Sequence, residues 1–460
     1  MAISDSPVLY QRRIQRNGFA GASLGWMFDG YETFATVLVA PAIVNQLIGP
    51  GTAQAHPIYV GGILATTLVA WGFGGLLSGI LADYIGRRRV LMYSILWYSI
   101  FAGAAAFSQN YAVFLVLRFL TGVGMGAEWG AGSSLVSEIW DDKHRGKGIA
   151  LLQGSFGVGF LVAAGAWQAV NQGSPDDWRW MYILGAAPAL VSLFVRRRVK
   201  DPDIWVAADR KRRDVRTRIR NGELVGAGDR QLTKSTLAQL FQSPELRRRL
   251  ILLFLAALST TMGWWAVSSW IPLFSAQQLA GKVPNVSTAI TTVVVAYNVV
   301  GLAGYFLMGV LADWLGRKPA MMIYFAGSLV VVPLLFLTPA SPQLFVVLAA
   351  INGFFTMGQW TWVALYPAEL FPTQVRATAI TFVFNTTRFV VAAGTLLSAA
   401  AIHFFGSISV AATVLGSGYI VGLLVTPWIG PETKGLPLPG SEVPDDKTWI
   451  PLETAAAGHK

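Results

Sequence analysis

Twelve apolar runs long enough to cross a bilayer constrain this chain more than any other feature. They lie at about 18–48, 57–83, 90–108, 111–138, 147–170 and 178–196, then at about 248–276, 286–313, 319–338, 343–368, 377–403 and 407–429. A hydrocarbon layer ~30 Å thick admits only backbones that satisfy their own hydrogen bonds, and runs of about 20 apolar residues do so as helices. Of the 460 residues 13% are charged, and the mean hydropathy is +0.51; a soluble domain carries about 25% charged residues. The expected fold class is an all-α membrane protein. No cysteine is present, which excludes disulfides, thiolate chemistry and cysteine metal sites. With no metal cluster, nucleotide motif or nucleophile–base pairing in view either, the sequence predicts no enzyme, no cofactor and no metal.

A formal net charge of +11 invites a nucleic-acid reading, but the placement of the charges argues for topology instead. Of 35 Lys and Arg, 31 fall in the N-terminal tail, the loops after even-numbered runs or the C-terminal tail; the others are Arg118, Arg179, Lys282 and Arg388. Basic loops stay cytoplasmic, so both termini are predicted on that side, in a multi-pass protein of the cell membrane with no nucleic-acid partner. Residues 1–17 are polar and basic and lead into a helix with no small-residue cleavage site, so the first helix is read as uncleaved. The predicted domains are a six-helix bundle over 1–196, a cytoplasmic linker over 197–247, a second bundle over 248–430 and a cytoplasmic tail over 431–460. The linker interleaves Lys211, Arg212, Arg213, Arg216, Arg218 and Arg220 with acids. It reads as a solvated tether, or alternatively as part-helical against an anionic leaflet.

The halves repeat. Gly79-Ile-Leu-Ala-Asp83-Tyr-Ile-Gly86-Arg87-Arg88 recurs 230 residues on as Gly309-Val-Leu-Ala-Asp313-Trp-Leu-Gly316-Arg317-Lys318. Glu138 and Arg145 recur as Glu369 and Arg376, 231 residues on, and Val162-Ala-Ala-Gly165 recurs as Val391-Ala-Ala-Gly394. A near-constant offset over three matches implies duplication, with parallel repeats of six spans.

These stretches also carry a family resemblance. Residues 79–91 resemble the loop signature between helices 2 and 3 of the major facilitator superfamily, and Arg118-Phe-Leu-Thr-Gly122-Val-Gly-Met-Gly126-Ala-Glu128-Trp-Gly130 resembles its helix-4 motif. Tyr366-Pro-Ala-Glu369-Leu-Phe-Pro372-Thr-Gln-Val-Arg376 and Pro431-Glu-Thr-Lys-Gly435 look like elements of its sugar-porter and metabolite:proton symporter branches. The resemblance implies the major facilitator fold, with twelve transmembrane helices in two six-helix pseudo-repeats. It also implies that Asp83, Arg87, Glu138, Arg145, Asp313, Arg317, Glu369 and Arg376 latch a cytoplasmic gate.

Charges that break the repeat are more telling. Asp29 and Glu32 lie one turn apart on one face of the first helix, Asp29 about 16 Å from the start of its run and so near mid-bilayer. A charge there needs a partner, a wet cavity or a proton. In the family's proton-coupled symporters an acid in helix 1 often pairs with an Arg in helix 4, and Asp29 and Arg118 match those positions. The implied proton carriers are Asp29 and Glu32, tuned by Arg118. A static buried pair is the plainer alternative, although such pairs stabilise little. Glu128 lies about 280° round the wheel from Arg118 and is read as a packing, outer-gate or coupling residue, with direct substrate contact as the alternative.

Arg388 is the candidate anion grip: it lies ~18 Å inward of Arg376, in a half whose only span acids are Asp313 and Glu369. A guanidinium offers bidentate donors to a carboxylate, and Asn385 shares its face. Phe28, Tyr31, Gln153, Phe156, Trp264, Trp265, Tyr297, Asn298, Asn352, Gln359, Trp360 and Phe384 complete the expected pocket, whose aromatic walls suit a planar substrate.

Where sugar porters carry a helix-7 Gln pair, this chain reads Ser259-Thr260-Thr261-Met262-Gly263-Trp264-Trp265. Gln153 does match a sugar-porter glutamine, whereas Asp29-Gly-Tyr-Glu32 looks like the Asp-Gly-aromatic-Asp of aromatic-acid:proton symporters, one methylene longer at its last place. The drug-antiporter Gly-Pro is absent from 154–165. The expected activity is proton-coupled symport of a small organic anion, a carboxylate and in particular an aromatic one, by a monomer in the lipid bilayer. A sugar or polyol symporter is the alternative, and a transporter-like receptor without flux the third reading.

Overall fold

In the computed structural model, which describes residues 7–49, 56–338 and 341–440, the regular elements are helices and no strand occurs among the described residues. The first span, Pro7–Leu47, starts well before its apolar run because Arg12, Arg13 and Arg16 continue the helix. Next come His56–Ile85, Arg87–Ala105, Tyr111–Ile139 and Arg145–Val170. The sixth span is broken into Asp177–Leu184 and Ala189–Arg198, with Pro188, which has no N–H to donate, at the break. The second half begins with Pro244–Leu279, Val286–Trp314 and Arg317–Leu337. Its tenth span divides into Pro342–Gly358 and Trp360–Leu370; Arg376–Phe405 follows, and the twelfth divides into Ile408–Gly416 and Tyr419–Val425. Ten stretches of the described residues are long and apolar enough to cross a membrane. The two spans outside that set, Arg87–Ala105 and Arg376–Phe405, both carry arginines. Residues 441–460 of the expected tail lie outside the described residues.

Glycine sets how closely the halves approach. Gly72, Gly75 and Gly79 on the second span face Phe389, Asn385 and Thr381 on the eleventh, and a Cβ on any of the three would overlap its partner. On the other flank Gly146 and Gly309 bring the fifth and eighth spans together backbone to backbone. Small residues of this kind let membrane helices pack by van der Waals contact where lipid gives no hydrophobic drive.

The linker is no free tether. It contains the helix Asp203–Arg220, whose Trp205 and Arg212 are buried. Both donate to the backbone carbonyl of Asp83, at 3.2 and 2.8 Å, and Arg212 also reaches the carbonyl of Gln374 at 3.4 Å. The expectation of a solvated connector is thus corrected: two buried side chains strap the linker to both halves.

Candidate functional site

At the face that carries the arginine loops, all eight expected gate residues meet in two related networks. Arg87 holds Asp83 at 3.0 Å and Glu138 at 2.8 Å; Glu138 in turn holds Arg376 of the other half at 2.8 Å. In the sister network Arg317 holds Asp313 at 3.2 Å and Glu369 at 2.6 Å, and Glu369 holds Arg145 of the first half at 2.8 Å. Each Glu therefore pairs with the Arg of the opposite half. Asp83 accepts from the N–H groups of Ala377 and Thr378 at the start of the eleventh span, at 3.3 and 2.9 Å. Asp313 accepts from Gly146 and Lys147 at the start of the fifth, at 2.9 and 3.0 Å. A carboxylate on a helix N-terminus meets free N–H groups and the positive end of the helix dipole, so each half caps a helix of the other.

Two further acids belong to this face. Asp201 accepts from Arg88 N–H at 2.9 Å, and Glu432 from Arg317 and Lys318 N–H at 2.8 and 3.1 Å. They lie 231 residues apart, the offset of the other repeats, and the Asp-to-Glu change hides the match. Gly86 (φ 104°) and Gly316 (φ 114°) open the third and ninth spans with left-handed backbone, and a Cβ on either would press on these carboxylates. Burial lifts the Asp201 carboxyl above its ordinary value, while the Arg88 N–H and the Arg87 and Arg88 charges pull the other way.

Inside the first half the four expected coupling residues are fully buried. Arg118 donates to Glu32 at 2.9 Å and sits 5.2 Å from the centre of the Tyr182 ring. It does not pair with Asp29, which corrects the sequence-based pairing: the guanidinium meets the acid one turn further along the first span. The Asp29 carboxylate instead has Glu128 of the fourth span as its strongest charged neighbour. Antiparallel order explains both contacts. The first span climbs from the arginine-loop face and the fourth descends to it, so the later acid meets the earlier residue of the fourth span.

A small central cavity lies between the halves, lined from the first by Trp26, Thr33, Trp71, Gln153 and Phe156 and from the second by Trp264, Trp265, Tyr305, Trp360, Phe384 and Arg388. The Arg388 guanidinium lies between two rings, 3.8 Å from the centre of Trp71 and 4.4 Å from that of Phe384, a cation–π clamp that holds the charge without neutralising it. No acid lies within ion-pair distance of it among the described residues, and its Nε has no hydrogen-bond partner. Gln153 bridges the halves, donating to the Trp360 carbonyl and accepting from Trp129 Nε1, both at 3.0 Å.

Of the expected pocket residues, Arg388, Gln153, Phe156, Trp264, Trp265, Trp360 and Phe384 reach the cavity wall; the others are placed elsewhere. Asn385 packs onto Gly75. Tyr31 donates to the Met181 carbonyl at 2.9 Å, and Phe28 packs edge-on against Tyr31 with centroids 6.4 Å apart. The Tyr297 hydroxyl lies 2.5 Å from Ser268 Oγ and 3.2 Å from Thr356 Oγ1. Asn298 bonds back to the Val294 carbonyl, and Gln359 is satisfied by Thr260 and Ser328. Tyr31, Tyr297, Asn298 and Gln359 find their partners on the helices rather than in the cavity, and hydropathy does not reveal that. Trp26, Trp71, Thr33 and Tyr305 were absent from the expected pocket; the signal for Trp26 and Thr33 was their place one turn before and one turn after Asp29.

A model of the Major Facilitator Superfamily matches residues 22–289 and 283–457. The chain is 28% identical over 374 residues to a probable 4-methylmuconolactone transporter of Cupriavidus pinatubonensis, covering 81% of this chain and 80% of that protein. It is 27% identical over 361 residues to a cis,cis-muconate transport protein of Acinetobacter baylyi, covering 77% and 81%. Among solved structures it superposes on the proton:xylose symporter XylE bound to 6-bromo-6-deoxy-D-glucose with a TM-score of 0.72 at 17% identity, over 93% of this chain and 98% of that one.

Proposed function

The chain belongs to the Major Facilitator Superfamily, and we propose that as one of its transporters it carries a small, flat organic carboxylate together with protons across the cell membrane by alternating access. Arg388 carries this reading: a cation buried at mid-span, lining the cavity between the halves, set against two aromatic faces and without an acid at ion-pair distance among the described residues. A buried charge so placed favours an anionic guest. The eight aromatic side chains that line the cavity with it suit a conjugated or aromatic acid. The muconate-type cargo named for the relatives is of that chemical kind. Gln153, the residue behind the sugar alternative, already has partners for both of its amide atoms. In this reading the arginine-loop face is cytoplasmic, both termini lie there, the two cross-half latches hold that face shut, and the buried acids of the first half carry the coupling proton.

Proteoliposomes with an inward proton gradient test it. Benzoate and cis,cis-muconate are expected to accumulate against their gradients and hexoses not; hexose accumulation without carboxylate uptake would sink the proposal. Ligand binding without flux would mark a receptor. Arg388→Ala is expected to weaken carboxylate binding by roughly ten- to a hundredfold, the loss of one charge-assisted contact of about 1.5–3 kcal/mol, and to spare a neutral amide analogue. Equal loss for both would remove the anion argument.

A further inference from the structure

The buried polar groups left over from that reading gather at one point. Asp29 of the first span, Glu128 of the fourth and Tyr98 of the third are each fully buried, and none lines the cavity. Among the described residues no oxygen of either carboxylate, nor the Tyr98 hydroxyl, has a hydrogen-bond partner. Room for Glu128 comes from Gly25, one turn before Asp29: a Cβ there would overlap Glu128 Oε1. The acid is thus pressed against bare helix backbone beside the Asp29 carboxylate. Two carboxylates packed one turn apart along the first span, one of them reaching in from the fourth, cannot both stay charged in a dry interior, whereas one proton shared between them supplies a donor and an acceptor at once.

The other ionisable groups facing the pair are known. Glu32 lies along the first span but is held by Arg118. Tyr98 faces both acids from the third span, and Arg388 reaches Asp29 electrostatically from the eleventh.

We infer that Asp29 and Glu128 hold one proton between them as a carboxyl–carboxylate pair, and that this pair, set apart from the Glu32–Arg118 ion pair, is the proton-loading site of the transport cycle. Loading takes one proton from solution when the transport cycle opens the pair to water, forms one O–H bond and lowers the charge of the pair from two negatives to one; unloading, again with the pair open to water, reverses it. Arg388 supplies the link to substrate. A bound carboxylate offsets the guanidinium charge that favours an ionised Asp29, so anion binding and proton loading assist one another, as linkage requires. That coupling rests on the carboxylate reading; the pair itself does not.

Infrared titration of the purified, substrate-free chain reads the pair directly through the C=O stretch of a protonated carboxyl. One such band is expected to titrate in the native protein, to vanish in D29N/E128Q and to persist in E32Q. In E128Q its midpoint should move acidward by roughly one pH unit, a tenfold weaker hold on the proton. An unmoved midpoint in E128Q, or a band lost in E32Q, would overturn the assignment. So would sodium-dependent thermal stabilisation at constant pH that E128Q abolishes, because the pair would then be a metal-cation site. Should E128Q fail to fold, E128D serves: the longer gap weakens the shared bond and moves the band to higher frequency, and an unmoved band again overturns it. Carboxylate flux is scored separately. A titrating pair without carboxylate uptake removes the transport reading alone, and uptake with an unshifted E128Q removes the pair alone.

Discussion

Glu32 and Asp29 share a helix face, yet the fourth span gives one of them an arginine and the other a second acid. Arg118 is fully buried, and among the described residues its Nε and Nη2 have no partner besides the Tyr182 ring and Glu32 is its one ion-pair partner. Breaking a buried pair leaves an uncompensated ion, at a cost of about 3–5 kcal/mol, whereas replacing both partners with apolar or neutral groups is often close to neutral. Arg118→Met alone is therefore expected to lower the melting temperature of the purified protein sharply, and E32Q/R118M to recover most of the loss. A double variant no more stable than the single one would show that the pair is not a closed unit. The acids themselves were legible, because a charge in an apolar run announces itself. Their partners were not, since ten residues separate Arg118 from Glu128 and three separate Glu32 from Asp29; side-chain reach and helix tilt absorb that mismatch, and neither is written in spacing.

At the scale of helices, the contacts that matter are the two N-termini capped from across the molecule. The eleventh span has no capping side chain of its own at Val375, and the fifth none at His144; Asp83 and Asp313 supply the missing acceptors from the opposite half. Asp83 also accepts from Thr378 Oγ1 at 2.7 Å. Replacing an N-capping acid with alanine costs about 0.5–2 kcal/mol, and here the loss falls on the interface between the halves rather than inside one. D83A and D313A should therefore each accelerate labelling of thiols placed in the cavity from the arginine-loop side, by a similar factor. An effect from one and none from the other would show that the duplication is broken in function. The duplicated motifs were plain in the sequence at a fixed offset. The breaks in the sixth, tenth and twelfth spans were not, because hydropathy counts apolar side chains and says nothing of backbone hydrogen bonds. The strap made by Trp205 and Arg212 was hidden for a related reason: a basic stretch looks solvated until a carbonyl is found to receive it.

For the molecule as a whole, the ion pairs among the described residues that join the two halves are Arg376–Glu138 and Arg145–Glu369, both at one face. Further from that face, Leu68 of the second span packs against Val391 and Ala392 of the eleventh, with Met262 and Trp265 beside them. These contacts are apolar and carry no ionic latch. The balance between states open to one side and to the other should therefore be set at the arginine-loop face, by two latches acting in parallel on one equilibrium. Removing either leaves the other in place; removing both takes away two contributions that add when the sites are independent. If each latch biases the equilibrium by about 1.4 kcal/mol, roughly tenfold, E138Q/E369Q should shift it roughly a hundredfold and each single variant roughly tenfold. Because the chain has no native cysteine, T33C on the cavity wall reports access without background. A membrane-impermeant maleimide should then label T33C faster from the arginine-loop side in the double variant, and more slowly from the opposite side. Faster labelling from both sides would mean that the helices had loosened rather than rocked, and the two latches would then be structural braces.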